Sequence, residues 1–472
     1  MDATLKKKLD IGFNPRNIVV VGDKGPNYNW LKSSAEYPGG PTYSVQLDEN
    51  EIPGIEELGI KNFKSLHDIP EDEIDYVIIA VPRRIVPFIL KDCIEKKVTL
   101  VACYTAGFAE THEEEGIQLS ETIINMCKEA DLAMVGPNCL CISNPKVGLL
   151  SNTSQRTGPG GFVGVLSMSG THTGTMISAL TAHGMPISKS VSMGNSLSIE
   201  QSDWLEYLGE DEETKIICMY LEGVRNGRQF YDSLKKVAAK KPVVILKGGQ
   251  TADGARAATS HTASLASPFA IWSGMFQQTG AIGVNSTDEI IDVAKVLTMA
   301  KPVSGNRLGV IASTGGQSVL VSDASAKHDL TVPALEESSY EKLRELFTLT
   351  GNSYRNPLDV TGVLNTAEEG DMMLNVLADD PNIDIIAMEV GDFTQRRNDP
   401  DFYDNMIKNF QSIKENSDKP FIVVQTGMED VVLKTRETLK EKGIPSIYSF
   451  LRGTQALGRA KDYYTAQAEI NS

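Results

Sequence analysis

Short runs of apolar, mostly β-branched residues alternate with helical patterns along the whole of this 472-residue chain. Such runs are typical of strands buried in parallel sheets, and the segments between them are long enough for the helices that cover such sheets. The pattern therefore predicts an α/β protein built from parallel sheets. At roughly 150 residues per domain, the length agrees with three domains.

The predicted strands fall into three groups. Those of the first group lie at residues 18–22, 42–47, 76–81, 99–103 and 132–135, and those of the second at 162–167, 187–192, 215–221 and 242–247, with a closing helix at 288–299. The third group begins at Arg307 and includes 385–390 and 421–425. We place the domains at residues 1–150, 157–301 and 306–472, with a linker at 301–306 that contains Pro302 and Gly305.

The second and third groups open in similar ways. Residues 164–170 read GVLSMSG, and residues 309–315 read GVIASTG. A strand that runs into a Ser/Thr/Gly turn and then a helix explains both, so the two domains are expected to share an architecture. Coincidence between two ordinary turns is the alternative.

The composition excludes several classes of protein. The chain has 45 Lys and Arg against 62 Asp and Glu, a net charge of −17, whereas affinity for nucleic acid comes mainly from clustered cations. We therefore expect no nucleic-acid partner.

The sequence also shows no pattern of a membrane segment. No apolar segment follows the lysines of residues 1–10, and no apolar run approaches the roughly 20 residues of a transmembrane helix. We expect a cytoplasmic protein with no membrane partner.

The six cysteines are scattered along the chain. Only Cys139 and Cys141 lie close together, with no second pair and no neighbouring histidine. Because a structural metal site combines about four such ligands, we expect reduced structural thiols and no metal ligands in this chain.

The first predicted strand leads into a turn that lies where a nucleotide-binding fold holds phosphate. Residues 19–26 read VVVGDKGP, which lacks the G-x-G-x-x-G pattern and so disfavours an NAD-dependent oxidoreductase. Three other segments follow strands of the same group, AVPR at 80–83, YTAGFAE at 104–110 and GPN at 136–138. Because the carboxyl ends of parallel strands meet at one edge, these segments together outline one crevice.

Two turns of the second group are suited to a phosphoryl group. Residues 167–171 read SMSGT and open a helix, where hydroxyl and unpaired N–H groups favour an anion. Residues 247–254 read KGGQTADG, and their small side chains leave room for a close approach. An ordinary serine N-cap gives the same pattern as the first turn, so both interpretations remain open.

His261 follows the second turn, in the sequence ARAATSHTAS of residues 255–264. Hydroxyl groups and helix N-termini stabilise the charge of a phosphorylated imidazole. Glu222, in MYLEG, is placed after a strand to accept the other ring N–H and to fix the tautomer. A satisfied structural histidine and an ordinary loop acid are the alternatives.

In this order, the motifs of the chain resemble the alpha subunit of ADP-forming (NDP-forming) acyl-CoA synthetases, relatives of the succinyl-CoA synthetase alpha subunit. The motifs are VVVGD, AVPRR, YTAGFAE, GPNCL, LSMSGTHTG, SMGN, DWLEYLGED, MYLEGVRNGRQF, ILKGG, ATSHTASLA, STGGQS and NPLDVTG. They cover essentially the whole chain. The resemblance implies a Rossmann-like CoA-binding domain followed by two flavodoxin-like domains of the succinyl-CoA ligase type.

The resemblance also implies an acid–CoA ligase. Phosphate attacks a bound acyl-CoA to give an acyl phosphate and CoA, and His261 then takes the phosphoryl group and passes it to ADP. We predict catalytic roles for His261 and Glu222. The predicted phosphate-binding residues are Ser169, Gly170, Thr171, Gly248 and Gly249, and the predicted CoA-binding residues are Gly22, Lys24, Val81, Pro82, Thr105, Gly107, Phe108 and Asn138.

The expected ligands and partners follow from the same resemblance. They are CoA, phosphate, a small carboxylic acid and its CoA thioester, and Mg²⁺ with ADP or ATP, bound mainly by a partner. That partner is an ATP-grasp beta subunit or domain, which we do not find in this sequence. A hetero-oligomer is therefore expected. A catalytically silent CoA-binding regulatory protein of the same fold is the alternative.

Three positions depart from the pattern of the family. Asp23, in the loop GDKGPNY of residues 22–28, would repel a diphosphate unless Lys24 compensates its charge. Ala263 follows the SHT motif, where glycine is common. Gly174 stands where succinyl-CoA synthetases have a tyrosine, so we expect a roomier acyl pocket and an acid other than succinate. His172, beside the phosphate turn, is expected to be a bystander.

Overall fold

The computed structural model describes residues 1–151, 155, 158, 160–261, 268–347, 351–391, 401–427 and 429–471. Residue contacts divide the chain into two compact units, residues 1–285 and residues 286–472. Within the described ranges, no helix is both long and apolar enough to cross a lipid bilayer.

The first unit begins with a six-stranded parallel sheet. Its strands are β1 (Ile18–Val21), β2 (Thr42–Val45), β3 (Lys61–Phe63), β4 (Tyr76–Ile79), β5 (Leu100–Cys103) and β6 (Ala133–Val135). They lie in the order β3-β2-β1-β4-β5-β6, and Val19 of β1 pairs with Tyr43 on one side and Val77 on the other. The strand order changes direction between β1 and β4, which is where open parallel sheets bind ligands.

A second sheet completes the first unit. Its strands are β7 (Ile142–Ser143), β8 (Val163–Ser167), β9 (Ile187–Ser192), β10 (Ile216–Leu221), β11 (Val243–Lys247) and β12 (Ile282–Val284). They lie in the order β12-β11-β10-β8-β9-β7. All neighbours are parallel except β7, which pairs antiparallel with β9.

The second unit contains a five-stranded parallel sheet. Its strands are β13 (Leu308–Ala312), β14 (Leu358–Asp359), β15 (Ile385–Val390), β16 (Phe421–Gln425) and β17 (Ser446–Tyr448), in the order β14-β13-β15-β16-β17.

Helices connect and cover the strands of both units. Those of the first unit are α1 (Ala3–Gly12), α2 (Asn29–Ala35), α3 (Ile52–Glu57), α4 (Val86–Glu95), α5 (Glu114–Glu129), α6 (Gly170–Ala182), α7 (Gln201–Glu210), α8 (Gly227–Ala238), α9 (Ala252–His261) and α10 (Phe269–Thr279), with short 3₁₀ helices at Leu66–Asp68, Arg83–Ile85, Ala109–Thr111 and Pro145–Val147. Those of the second unit are α11 (Thr287–Met299), α12 (Gly315–Ala326), α13 (Glu337–Arg344), α14 (Ala367–Asp379), α15 (Phe402–Asn416), α16 (Glu429–Glu441) and α17 (Phe450–Asn471).

Side chains at the helix starts explain where several helices begin. The hydroxyl of Ser169 accepts an N–H in the first turn of α6, and that of Thr314 does the same for α12. α6 follows β8 and α12 follows β13, each in a strand–turn–helix unit. The related architecture predicted from GVLSMSG and GVIASTG is therefore confirmed.

The two sheets of the first unit share a hydrophobic core. One cluster of buried side chains contains Val20 and Ile78 of the first sheet together with Leu166 and Ile217 of the second. The opposite face of the first sheet has a separate core around Val19, and the second unit has its own. Apolar burial of this extent is the main source of stability of each unit.

All six cysteines are buried free thiols. Burial raises the pKa of Cys127 and of Cys218 to about 12, so these thiols stay protonated and unreactive at neutral pH. The structure thus gives them a packing role.

The three predicted parallel-sheet arrays are confirmed, with small differences at the edges. The sequence did not predict β3, β7, β12, β14 and β17, each of two or three residues. The helix predicted at 288–299 is α11, and it packs against α17 of the second unit.

Candidate functional site

Four predicted CoA-binding residues lie in contact at the carboxyl edge of the first sheet. Gly22 adopts φ +82, and an added Cβ would come within 2.4 Å of Val81 Cγ1. The hydroxyl of Thr105 donates to the carbonyl of Val81 at 2.6 Å, and the N–H of Asn138 donates to the carbonyl of Thr105 at 2.9 Å. The turns after β1, β4, β5 and β6 therefore form one continuous surface.

The loop after β5 is ordered by the carboxylate of Glu110, which accepts hydrogen bonds from the loop's own N–H groups. The N–H groups of Gly107 and Phe108 donate to Glu110 at 2.7 and 3.1 Å, and the side-chain amide of Asn195 donates to the same carboxylate at 2.6 Å. The ring of Phe108 is buried in the core. Of the predicted residues in this loop, Phe108 has no ring surface available to a ligand, and its N–H already has a partner.

Asp23 has a different role from the one expected. Its buried carboxylate accepts the N–H groups of Trp30 and Leu31 at 2.8 and 2.9 Å, and so it caps α2. Burial raises the pKa of Asp23, although these hydrogen bonds oppose the shift. Lys24, expected to compensate Asp23, extends its ammonium to Asp48 at 3.0 Å. The first amides of α2 therefore already have an anionic partner.

Pro82 and its neighbours form the rim of this edge. Pro82 precedes the 3₁₀ helix Arg83–Ile85, and the guanidinium of Arg83 donates to the carbonyl of Gly107 at 2.9 Å and to two carboxylates of the α5 region. The pKa of Arg83 is raised, mainly by its hydrogen bond to Glu113.

Exposed apolar side chains line the same edge. Leu47, Ile85 and Tyr104 follow β2, β4 and β5 and are 72%, 43% and 43% exposed, and the ring of Tyr104 packs against Trp30 at 5.1 Å. Apolar surface of this kind suits the non-polar parts of a ligand. The sequence analysis quoted Tyr104 only as part of YTAGFAE and missed Leu47 and Ile85, although all three lie in segments that follow strands.

The predicted phosphate turn is ordered by its own serines. The hydroxyl of Ser167 donates to the carbonyl of Ser169 at 2.8 Å and accepts the N–H of Ser169 at 3.1 Å. Ser169 then caps α6, whose first two residues are Gly170 and the exposed Thr171. The turn thus presents a helix N-terminus at the carboxyl edge of the second sheet, as predicted.

Glu222 lies beside this turn. Its N–H donates to the sulfur of Met168 at 3.4 Å, and its carboxylate accepts the hydroxyl of Tyr220 at 3.1 Å. Glu222 is only 5% exposed. Gly248 packs against both side chains, since an added Cβ would come 2.6 Å from Tyr220 Oη and 3.4 Å from Glu222 Cγ.

The second predicted phosphate turn leads into α9. Gly249 adopts φ +74 and lies against Ala255 and Ala258 of that helix. The sequence analysis placed this turn at residues 247–254, but its last three residues already belong to the helix Ala252–His261. Alanine has the highest helix propensity, and the hydroxyl of Thr251 accepts the N–H of Gly254 at the start.

His261 is the last residue of α9. Its side chain lies outside the described atoms, as do Thr262 and Ala263, so its predicted pairing with Glu222 stays a prediction. The helix itself contacts the 3₁₀ helix Ala109–Thr111 of the first sheet. The chain that carries His261 is thereby brought to the loop that contains Gly107.

Lys247 is a buried cation next to the site. Its ammonium donates to the carbonyl of Gly248 and lies 5.3 Å from the ring centroid of Trp272. Burial lowers the pKa of Lys247, and the negative charge of Glu222 opposes the shift. The sequence analysis quoted this residue in ILKGG without giving it a role.

The two sheets of the first unit are joined at this edge. The N–H of Asn195 donates to the carbonyl of Pro137 at 3.0 Å, and that of Leu197 donates to the carbonyl of Gly136 at 3.0 Å. An added Cβ on Gly194 would come 2.2 Å from the carbonyl oxygen of Pro137. The GPN turn after β6 and the SMGN turn after β9 are thus directly bonded.

The third sheet has buried acids at its own carboxyl edge. Glu389 accepts the N–H of Ser313 at 2.8 Å and the hydroxyl of Thr426 at 2.7 Å. Asp359 accepts the hydroxyl of Thr361 at 2.6 Å. These contacts order the STGGQS and NPLDVTG segments within the second unit.

Comparison with known proteins agrees with the motifs. A model of the CoA binding domain matches residues 16–145, and one of the succinyl-CoA ligase like flavodoxin domain matches residues 159–297. The chain is 34% identical to the alpha subunit of acetate–CoA ligase (ADP-forming) II of Pyrococcus furiosus, over 93% of this chain and 94% of that one. The chain belongs to the family of ADP-forming acyl-CoA synthetase alpha subunits.

Two other proteins are similar to nearly the whole chain, one by its solved structure and one by its sequence. A solved structure of the dinucleotide-forming acetyl-coenzyme A synthetase 1 of Ca. Korarchaeum cryptofilum, in complex with phosphate and ADP, has a TM-score of 0.84 and 25% identity, and 98% of each chain is covered. Acetate–CoA ligase (ADP-forming) I of Archaeoglobus fulgidus is 31% identical over 94% of this chain, which spans 62% of that protein.

In the described part of the synthetase chain, three side chains of the types that can ligate a metal lie close together. His67, Asp92 and Glu95 lie within 4.8 Å of one another. They are on the 3₁₀ helix Leu66–Asp68 and on α4, which precede β4 and β5, so the cluster is at the amino edge of the sheet. It is therefore separate from the turns described above.

Proposed function

We propose that this chain is the alpha subunit of an acid–CoA ligase that interconverts acyl-CoA, ADP and phosphate with a carboxylic acid, CoA and ATP. The observation that supports this most strongly is the convergence of three segments on one edge of the second sheet. These are the serine-capped start of α6, the buried Glu222, and the Gly248–Gly249 turn that leads to the helix ending at His261.

In the proposed reaction, an oxygen of phosphate attacks the thioester carbonyl of acyl-CoA. The carbon–sulfur bond breaks, the CoA thiolate takes up a proton, and an acyl phosphate remains. The N-terminus of α6 supplies the N–H groups of Gly170 and Thr171 and a helix dipole for the phosphate oxygens, while the hydroxyl of Ser169 caps the helix. Developing negative charge is stabilised best by such fixed donors.

The phosphoryl group then moves to His261. A ring nitrogen of the imidazole attacks phosphorus, the bond to the acyl oxygen breaks, and the carboxylate leaves. Glu222 is held at the floor of the site and is proposed to accept the other ring N–H, which keeps the attacking nitrogen unprotonated. Transfer from phosphohistidine to ADP gives ATP and restores the imidazole.

CoA is proposed to occupy the carboxyl edge of the first sheet. Support comes from the contacts that join Gly22, Val81, Thr105 and Asn138, and from the exposed apolar side chains beside them. Lys24, Gly107 and Pro82 lie at the same edge. The carboxylates of Asp23 and Glu110 already accept several loop N–H groups, so the CoA diphosphate is expected to depend less on these amides.

A second subunit completes the proposed enzyme. Relatives of this chain carry the name of an alpha subunit, which implies a partner. We propose an ATP-grasp beta subunit or domain that binds ADP or ATP with Mg²⁺, in a cytoplasmic hetero-oligomer. The metal supplies charge neutralisation on the nucleotide phosphates, and the cluster at His67 lies at the wrong edge of its sheet for that task.

The acid is proposed to be a small carboxylic acid other than succinate. The relative with the highest identity quoted above acts on acetate by name. An added Cβ on Gly174, one turn into α6, would meet no atom within 4 Å, which is consistent with open space there.

The decisive experiment is the detection of acid-labile, base-stable phosphate on the full chain. We expect label from MgATP with the beta partner, or from labelled phosphate with acetyl-CoA, in the wild type and in the surface control His67→Ala. His261→Ala is expected to show no label. Discharge of the label by CoA and one acid from a panel identifies the substrate. Absence of label with a competent partner would favour the silent CoA-binding regulatory protein, and discharge mainly by succinate would contradict the proposed acid.

A further inference from the structure

Tyr220 links three segments of the site. It lies in β10, two residues before Glu222, and its backbone carbonyl accepts the N–H of Met168 in the phosphate turn at 3.1 Å. Its hydroxyl donates to Glu222 Oε1 at 3.1 Å. The aromatic ring stacks on His172 of α6, with centroids 4.0 Å apart and an interplanar angle of 25°.

Surrounding groups restrict the tyrosine ring to this position. His172 covers one face, and Gly248 is so close to the hydroxyl that an added Cβ would come 2.6 Å from Oη. The ammonium of Lys247 donates a hydrogen bond to the carbonyl of Gly248. A hydroxyl held in this way points at one carboxylate oxygen, so it selects one orientation of the carboxylate.

The direction of the hydrogen bond is also fixed. Burial raises the pKa of Tyr220 well above its ordinary value, and the charge of Glu222 adds to the shift. The hydroxyl therefore keeps its proton throughout the physiological range and is the donor of this hydrogen bond.

We infer that Tyr220 is a positioning residue that acts through Glu222, by fixing the carboxylate that steadies the imidazole of His261. The stacked ring of His172 limits the movement of the tyrosine ring. This inference rests on the proposed function, since it assigns a role to Tyr220 only if Glu222 acts in phosphohistidine chemistry.

Tyr220→Phe is the clean test, because it keeps the ring and its stack with His172 and removes only the hydroxyl. We expect kcat to fall about tenfold to a hundredfold, as for other small losses of positioning, and the phosphohistidine to form more slowly from labelled phosphate and acetyl-CoA. KM for CoA should change by less than about twofold, because CoA binding is not touched. The matched control is Tyr37→Phe, whose hydroxyl donates to the carbonyl of Pro15 at 2.8 Å, and it should retain wild-type kcat.

A double-mutant cycle separates positioning from packing. In the Glu222→Gln background, Tyr220→Phe should cost little further activity, because the two residues act as one unit. Additive losses, or a Tyr220→Phe enzyme with wild-type kcat, would overturn the inference. Failure of the proposed function is recognised separately, since it requires that wild type carries no label or that His261→Ala still carries one.

Discussion

At the scale of single residues, the glycines of the site are set by the side chains around them. Gly248 is a glycine because Tyr220 and Glu222 occupy the space of its missing Cβ. The sequence suggested that small residues there would leave room for a phosphoryl group. The structure shows that the space beside Gly248 is taken up by the hydrogen-bonded side chains of Tyr220 and Glu222.

Gly248→Ala should therefore damage both stability and activity. The new methyl group would come 2.6 Å from Tyr220 Oη. The tyrosine ring cannot easily move away, because it is stacked on His172. Overpacking of this kind costs about 1 to 3 kcal/mol, so we expect a lower melting temperature together with a lower kcat. The control is Gly174→Ala in α6, where nothing lies within 4 Å and alanine should stabilise the helix by about 0.5–1 kcal/mol. Equal melting temperatures of the two variants would argue against this packing account.

Much of the candidate site could be predicted from the sequence, residue by residue. Gly22, Val81, Thr105 and Asn138 meet because the ends of parallel strands share an edge. The proximity of Tyr220 to Glu222 was also accessible, since residues two apart in an extended chain point to the same side. By contrast, the pairing of Lys24 with Asp48 depends on a distant loop, and no local pattern shows it.

At the scale of helices and strands, periodicity was a good guide to central strands and a poor one to short edge strands. β15 is buried throughout and β10 is buried except at the half-buried Tyr220, and both were predicted within one residue. By contrast, β14 and β17 have only two and three residues. Such short segments pair because a neighbouring strand is already in place, and not because of their own pattern.

α11 carries a buried lysine whose titration should be measurable. Lys295 is 4% exposed, and its ammonium donates to the carbonyl of Ser446 in β17 at 2.6 Å. Burial lowers its pKa from 10.5 to about 8. Between these values the unfolded chain binds a proton that the folded chain does not, so the free energy of unfolding should rise with pH in this window.

The test compares wild type with Lys295→Met in urea unfolding at pH 7.5 and pH 10. We expect wild type to gain about 1 to 3 kcal/mol relative to the variant over this range. The exposed Lys327→Met should show a constant difference from wild type. A constant difference for Lys295→Met as well would mean that the lysine titrates at its ordinary pKa.

At the scale of the whole molecule, the compact units of the structure have a different boundary from the domains found by sequence comparison. Contacts place the boundary between units at residue 285, whereas the succinyl-CoA ligase like flavodoxin model extends to residue 297 and so includes most of α11. The sequence pattern assigned this helix to the second array because it follows that array directly. In the structure α11 contacts α17 within residues 286–472, and only the folded chain shows this contact.

Two fragments can decide which grouping governs folding. We expect residues 1–285 to unfold in urea with one cooperative transition, and residues 1–300 to be no more stable, because α11 has its main partner in the second unit. Circular dichroism and urea denaturation of both fragments provide the measurement. A folded 1–300 fragment beside an aggregated 1–285 fragment would favour the boundary of the family model.

The bonded turns at Pro137 and Asn195 have a consequence for exchanging parts between related enzymes. Backbone hydrogen bonds and a shared core join the first sheet to the second. A chimaera whose junction lies between residues 145 and 159 would therefore pair a first sheet and a second sheet from different proteins, whose contact surfaces have not evolved together. Chimaeras that transplant residues 1–285 as a single cassette avoid that mismatch. If the proposed function holds, thioester specificity and phosphate binding are then expected to be inherited together, as one exchangeable trait.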